Sequence, residues 1–271
     1  GHSNLLALRR TPDPKTKKMR TFLTIDEVRK IHNFFGLAAG QHGWRICIVD
    51  TADDMNANAA NALLKTLEEP PEQSLLLVLA NAPGRLLPTI RSRCRHLRLN
   101  PLSDEHVTHI IRQHFDDEFD ANQITALAHL AEGSAGRALQ LAQEGGLELY
   151  DELLHVIQTL PDIDSVQAMS FSGKYARAGS EQKLALTFDL LSDWLQRLVR
   201  YGSHKEMYHH PDVMLGEHAL MDRLLGCAAP STWADIWDEV QELHLRSRAL
   251  HLDSKQTLMQ AFFMMERACH A

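Results

Sequence analysis

Hydrophobic positions follow two different patterns along this chain. In the first hundred residues they come in short unbroken runs separated by turn residues. Leu5-Leu6-Ala7-Leu8 is strand-like, and the polar Pro- and Lys-rich stretch from Arg9 to Arg20 reads as an exposed loop. Thr24 followed by Glu27 has the form of a helix capping box, after which Val28, Ile31 and Phe35 share one face. The run Ile46-Cys47-Ile48-Val49, closed by Asp50, predicts a strand buried on both faces, as in a parallel sheet. A helix is predicted over 56–69, with Ala59, Ala60, Leu63, Leu64 and Leu67 on one side and Pro70-Pro71 as its stop. Leu75 to Ala80 predicts another buried strand, Leu86 to Arg95 a short basic helical segment, and Leu97-Arg98-Leu99 a further short strand. Alternating strands and helices of this kind specify an α/β fold.

After Pro101 the period becomes helical. Segments 103–115, 120–132 and 135–144, punctuated by Gly133 and Gly145-Gly146, predict a small three-helix unit. A weaker region spans Pro161 to Gly179, and amphipathic stretches succeed it at 181–201, 212–226 and 231–270. The predicted domains are therefore 1–100, 101–146 and 147–271, and no internal repeat interrupts them. A doubly wound sheet normally opens on a strand and a phosphate-binding loop. Here the first strand leads straight into a polar loop, so the α/β domain is expected to be partial, with the chain beginning in mid-protein.

Composition narrows the function classes. The chain has 271 residues, 44% hydrophobic and 23% charged, with a formal net charge of -7. An acidic balance does not favour nucleic acid as the principal partner, although it leaves room for local basic patches. Cys47, Cys94, Cys227 and Cys269 have no metal-ligand spacing among them and imply no disulfide framework, which fits a reducing, cytoplasmic setting. The longest apolar run, Leu75 to Ala80, is too short to cross a membrane. The chain has 16 histidines, among them His106 and His109 on one predicted helix and the adjacent His209-His210. None has a third ligand at suitable spacing, so surface histidine is the reading and no metal is expected.

No G-x-x-x-x-G-K-[ST] string occurs, so nothing in these residues cradles a triphosphate in the P-loop manner. Asp50 sits at a strand end, where a P-loop protein keeps its magnesium-coordinating carboxylate. The next residue is Thr51, where an active hydrolase commonly has Glu. Two strings are more specific. One is Asn61-Ala62-Leu63-Leu64-Lys65-Thr66-Leu67-Glu68-Glu69-Pro70-Pro71; the other is Leu87-Pro88-Thr89-Ile90-Arg91-Ser92-Arg93-Cys94.

Together these strings resemble the clamp-loader branch of the AAA+ proteins, and within it the delta-prime family of bacterial DNA polymerase III. The resemblance is close from about Val28 to Leu102, looser through the next helices and general in the last third. It implies a parallel-sheet AAA+ domain, then a small helical lid and an all-α collar through which subunits assemble. The Ser92-Arg93-Cys94 motif then makes Arg93 an arginine finger that faces ATP on a neighbouring subunit, with Arg91, Arg95 and Arg98 as basic neighbours. A guanidinium supplied in this way stabilises charge on the transferring phosphoryl group. Asn81 takes the family's polar sensor position. Gly133-Ser134-Ala135-Gly136-Arg137 takes that of the second sensor, with the arginine one residue late. A one-residue shift turns a helical side chain by about 100°, so Arg137 should miss the nucleotide. Asp50, Thr51, Asn81 and Arg137 thus read as remnants of a nucleotide site.

The resemblance implies gamma- and tau-type ATP-binding subunits, a delta subunit, the sliding clamp and primed DNA as partners. ATP and magnesium would be held by the neighbours. The family's four-cysteine zinc module would lie upstream of residue 1. Cys94 is expected to be structural. The alternative is an ATP-hydrolysing motor subunit of the same family, against which Thr51 and the shifted Arg137 count. A DNA-binding regulator on the same fold would need a basic recognition helix, which the sequence lacks.

Overall fold

The computed structural model describes residues 3–11, 20, 22–36, 43–115, 118–176, 181–208, 211–250 and 252–270. Most of the loop expected over Arg9–Arg20, the end of the weak region before Gly179, and His209-His210 lie outside the described residues. The chain divides into two compact units, residues 1–99 and 100–271.

The first unit holds a three-stranded parallel sheet in the order β1 (Leu5–Leu8), β2 (Arg45–Val49), β3 (Ser74–Val78). Leu5, Ile46 and Leu75 stand in register, as do Ala7, Ile48 and Leu77. Because side chains alternate across a strand, Leu8, Cys47 and Val49 fall on the opposite face. There they form a core with Val28, Ile31 and Phe35 of α1 (Ile25–Gly36) and Ala59, Ala60 and Leu63 of α2 (Ala57–Glu68). Glu27 at the start of α1 accepts the Thr24 N–H at 2.9 Å, half of the expected capping box.

Two expectations are corrected here. The strands are not buried on both faces: Leu5, Leu75, Leu77 and Leu79 are exposed, and among the described residues no element covers that side of the sheet. Leu97-Arg98-Leu99 is not a strand. It runs as irregular chain with its leucines 84% and 78% exposed, because among the described residues it has no neighbouring strand to accept its ladder hydrogen bonds.

Among the described residues, the elements of the second unit are all helices. Helices α4 (Asp104–Phe115), α5 (Ala121–Ala131) and α6 (Ala135–Glu144) match the expected three-helix pattern. They share one core with the later helices of this unit, from Val107 and Leu127 through Leu153 and Trp194 to Trp233 and Phe262. The hydrophobic pattern alone does not separate out helix α7 (Gly146–Ile157). Helix α8 (Ser165–Tyr175) lies within the region expected to be weak, where Asp164 caps it by accepting the N–H groups of Val166 and Gln167. After α9 (Glu181–Ser203) and α10 (Glu217–Cys227), the stretch expected over 231–270 breaks into α11 (Pro230–Leu250) and α12 (Ser254–Cys269). Asp253 starts the second of these by accepting the Gln256 N–H at 2.8 Å.

Gly133 closes the α5–α6 turn with φ +79°, and its carbonyl accepts the Leu102 N–H at 2.9 Å. A Cβ there would lie 2.5 Å from Pro101 Cβ and 2.7 Å from the Leu102 carbonyl oxygen. Gly133→Ala is therefore expected to destabilise this unit by at least ~1–3 kcal/mol. Urea denaturation followed by tryptophan fluorescence checks it, since Trp194 and Trp233 are fully buried in this unit.

Candidate functional site

The two specific sequence strings meet in the first unit. Helix α2 begins at Asn56, whose side chain accepts the Ala59 N–H at 2.9 Å. Its apolar face buries Ala59, Ala60 and Leu63, and leaves Asn61, Lys65, Glu68 and Glu69 toward solvent. Pro70 prevents continuation, so the two glutamates sit at the helix's carboxyl end.

Beyond β3 the chain passes through a short turn, Pro83–Arg85, to the four-residue helix α3 (Pro88–Arg91). The basic helix expected over Leu86–Arg95 is thus a single turn. Proline at its first position supplies a preset φ and needs no N–H partner. Ile90 is buried, and Cys94 packs partly buried against the same core. Burial pushes the Cys94 thiol above its usual range.

With Ile90 and Cys94 turned inward, Arg91, Ser92, Arg93 and Arg95 are exposed. Ser92 Oγ donates to the Thr89 carbonyl at 3.1 Å, tightening the turn. The Arg93 guanidinium is held at two points. One Nη donates to the Thr89 carbonyl at 3.0 Å, and the other meets Glu68 Oε1 at 2.7 Å. Both side chains remain accessible, Arg93 at 37% and Glu68 at 50%. Among the described residues, Arg91, Arg95 and Arg98 make no ion pair. Sequence reasoning does not find Glu68 as the partner of Arg93. The one signal for it is the glutamate pair at a helix carboxyl end, where the helix dipole disfavours negative charge.

Asp50 and Thr51 lie at the carboxyl end of β2, and Asn81 comes after the adjacent β3. The two loops are tied together: the Ala52 N–H donates to the Leu79 carbonyl at 2.7 Å, and Asp53 accepts the N–H groups of Asn81 and Ala82. The Thr51 hydroxyl donates to Asp54 at 2.7 Å, and Asp54 also pairs with Arg10 at 3.0 Å. Asp53 and Asp54, which no sequence pattern singles out, hold these loops in place.

Arg137, in the second unit, pairs with Asp193 of α9. Burial raises the Asp193 carboxyl, and the Arg137 charge and hydrogen bond oppose that rise. Arg137 therefore ties α6 to α9. Removing it by Arg137→Ala should cost about 1.5–3 kcal/mol at neutral pH, the range for hydrogen bonds to charged groups. Because a raised carboxyl favours the fold in its protonated form, ionisation at higher pH is where the partner matters. The destabilisation should thus shrink as pH falls through the carboxylate range, as urea titrations of the two proteins at pH 4 and pH 7 would show.

His106 Nδ1 is 2.6 Å from Ser103 Oγ, and with Glu105, Thr108, His109 and Arg112 it lines a shallow groove on α4. Among the described residues no group of three His, Cys, Asp or Glu could hold a metal ion. Among them, too, no helix is long and apolar enough to cross a membrane.

The family model described as "DNA polymerase III, delta subunit" matches residues 2–103, the segment that carries both strings. DNA polymerase III subunit delta' of Pseudomonas aeruginosa is 31% identical over 191 residues, covering 70% of this chain and 55% of that protein. The Escherichia coli K12 subunit delta' is 35% identical over 127 residues, 47% of this chain and 37% of its own length. Subunit tau of E. coli K12 is 29% identical over 169 residues, 60% of this chain and 26% of its own length. The chain thus spans about half the length of the first of these relatives, and less of the others. On the residues that carry its two motifs and on these similarities, the chain is similar to the delta-prime members of the DNA polymerase III clamp-loader family.

Proposed function

We propose that the chain acts as a non-hydrolysing stator of the DNA polymerase III clamp loader, donating Arg93 to ATP bound by a neighbouring gamma- or tau-type subunit. The observation that carries this reading is the setting of Arg93. It stands on a turn pinned by Ile90 and Cys94, and its guanidinium is accessible. A planar fork of donors suits the oxygens of a γ-phosphate, and positive charge there favours the transition state.

The remnants support the same reading. Thr51 succeeds Asp50, its hydroxyl engaged by Asp54, and Arg137 is engaged by Asp193. In this assignment residues 101–146 are a lid and 147–271 a collar, the collar meeting its counterparts in the other subunits. ATP with magnesium on the neighbours, together with primed DNA, would open and release the sliding clamp in the cytoplasm, with a delta subunit completing the ring. The Arg-rich turn is a local basic patch in a chain of net charge -7.

The similarity to tau favours a second reading, an ATP-hydrolysing motor of the same family. ATP turnover by the isolated full-length protein separates the two, since only a motor hydrolyses ATP without partners. The main test is turnover of the reconstituted loader with clamp and primed DNA, comparing Arg93 with Arg93→Ala after assembly has been checked by sizing. A clear drop in an intact complex is expected. Unchanged turnover in an intact complex removes Arg93 as a finger.

A further inference from the structure

The Arg93–Glu68 pair has an unusual electrostatic setting. Glu68 is the last residue of α2 and Glu69 is next to it, so two carboxylates sit at the negative end of a helix. The basic residue in the last turn of α2 is Lys65, and the helix dipole disfavours a carboxylate at that end. Arg93 offsets it at 2.7 Å, although Arg91, Arg95 and Arg98 on the same short segment are left without an ion pair among the described residues. In this arrangement the guanidinium is neutralised and two of its nitrogens are already bonded, one to Glu68 and one to the Thr89 carbonyl.

From this geometry we infer that Glu68 is a resting latch on Arg93: a positioning residue that keeps the guanidinium neutralised until a phosphate draws it away. The inference rests on the finger reading above and concerns the regulation of that same site. A triphosphate approaching Arg93 meets a carboxylate of like charge beside it, so Glu68 opposes engagement as long as the pair is closed. The pair is half exposed, and pairs of that kind are weak. A bidentate contact with phosphate oxygens is stronger than a single contact with one carboxylate oxygen. The latch therefore yields to a correctly docked neighbour and resists a loosely docked one. Thr89, whose carbonyl stays available at the same turn, keeps the side chain aimed in either state.

The test uses the reconstituted loader containing the full-length protein, with steady-state ATP turnover measured without DNA and then with clamp and primed DNA. Glu68→Gln keeps the shape and a hydrogen-bonding oxygen but removes the charge. It is expected to raise the DNA-independent kcat about two- to five-fold, the range set by a weak surface pair. KM for ATP should stay the same, because the nucleotide is held by the neighbour. On an Arg93→Ala background the same substitution should do nothing. If Arg93→Ala lowers turnover but Glu68→Gln leaves the basal rate unchanged, the latch is wrong and the finger stands. If Glu68→Gln lowers turnover, Glu68 aims Arg93 instead of restraining it, and the latch is again wrong. If Arg93→Ala has no effect in an intact complex, both readings fall.

Discussion

With Arg93 as the proposed finger, Arg93→Ala should slow hydrolysis at the neighbour's ATP site by roughly 10³- to 10⁵-fold, the range for an arginine supplied in trans to a phosphoryl transfer. The folded chain should scarcely notice. Arg93 is accessible, its ion pair with Glu68 is half exposed, and the turn that carries it is anchored by Ile90 and Cys94. Substitutions at such surface positions usually lie within about 0.5 kcal/mol of neutral. On the same proposal, total turnover of the assembled complex should fall by less, because its other ATP sites would depend on other fingers. A pre-steady-state measurement that resolves the affected site, alongside unchanged urea denaturation, would separate lost chemistry from lost structure. Arg93→Lys should recover only part of the rate. A lysine keeps the charge but lacks the planar fork that grips two oxygens at once. Full recovery by lysine would mean that charge alone matters, and the fork argument would fail.

Glu217→Ala should destabilise the helical unit by about 3–5 kcal/mol, the cost of leaving a buried charge without its partner. Glu217 of α10 and Arg197 of α9 are 2% and 7% exposed and meet at 3.0 Å. The Tyr150 hydroxyl of α7 donates to Glu217 and accepts from Arg197, and the second Glu217 oxygen accepts the Val213 N–H at 3.0 Å. Three helices are therefore joined through one buried cluster. Alanine at 217 leaves the Arg197 guanidinium without its buried counter-charge and the Tyr150 hydroxyl without its acceptor. The matched control is the double variant Arg197→Met, Glu217→Leu, which removes both charges and keeps the volume. It should be much closer to wild type than Glu217→Ala, because replacing a whole buried pair with apolar groups is often neutral or better. Tryptophan fluorescence in urea reads this unit directly through Trp194 and Trp233. If the double variant proved as unstable as the single one, loss of the charge partner would not be the cause.

Much of the architecture comes from local physics alone. Unbroken apolar runs at 46–49 and 75–78 form strands β2 and β3 because β-branched and leucine side chains extend well there. The helix from residue 57 has one apolar face and ends where Pro70-Pro71 forbids another turn. Asp50 and Asn81 could be placed at strand ends from the sequence pattern, whereas that pattern puts the Ser92-Arg93-Cys94 string in a basic helical segment and the structure has it on a turn. Cys94 packs partly buried against the same core as Ile90, and burial raises its thiol.

Tertiary structure decided what spacing could not. Leu97-Arg98-Leu99 has the composition of a strand but, among the described residues, no neighbour to bond, and so stays irregular. The break between α11 and α12 depends on Asp253 capping a new helix in a stretch whose hydrophobic period runs on. The pairing of Glu68 with Arg93, and the Tyr150–Arg197–Glu217 cluster, join residues that are distant in sequence and carry no mutual signal along the chain. Secondary structure is read from neighbours three, four or two residues away. Which charge finds which partner is settled only when whole helices and strands pack, and it is there that this protein's candidate chemistry lies.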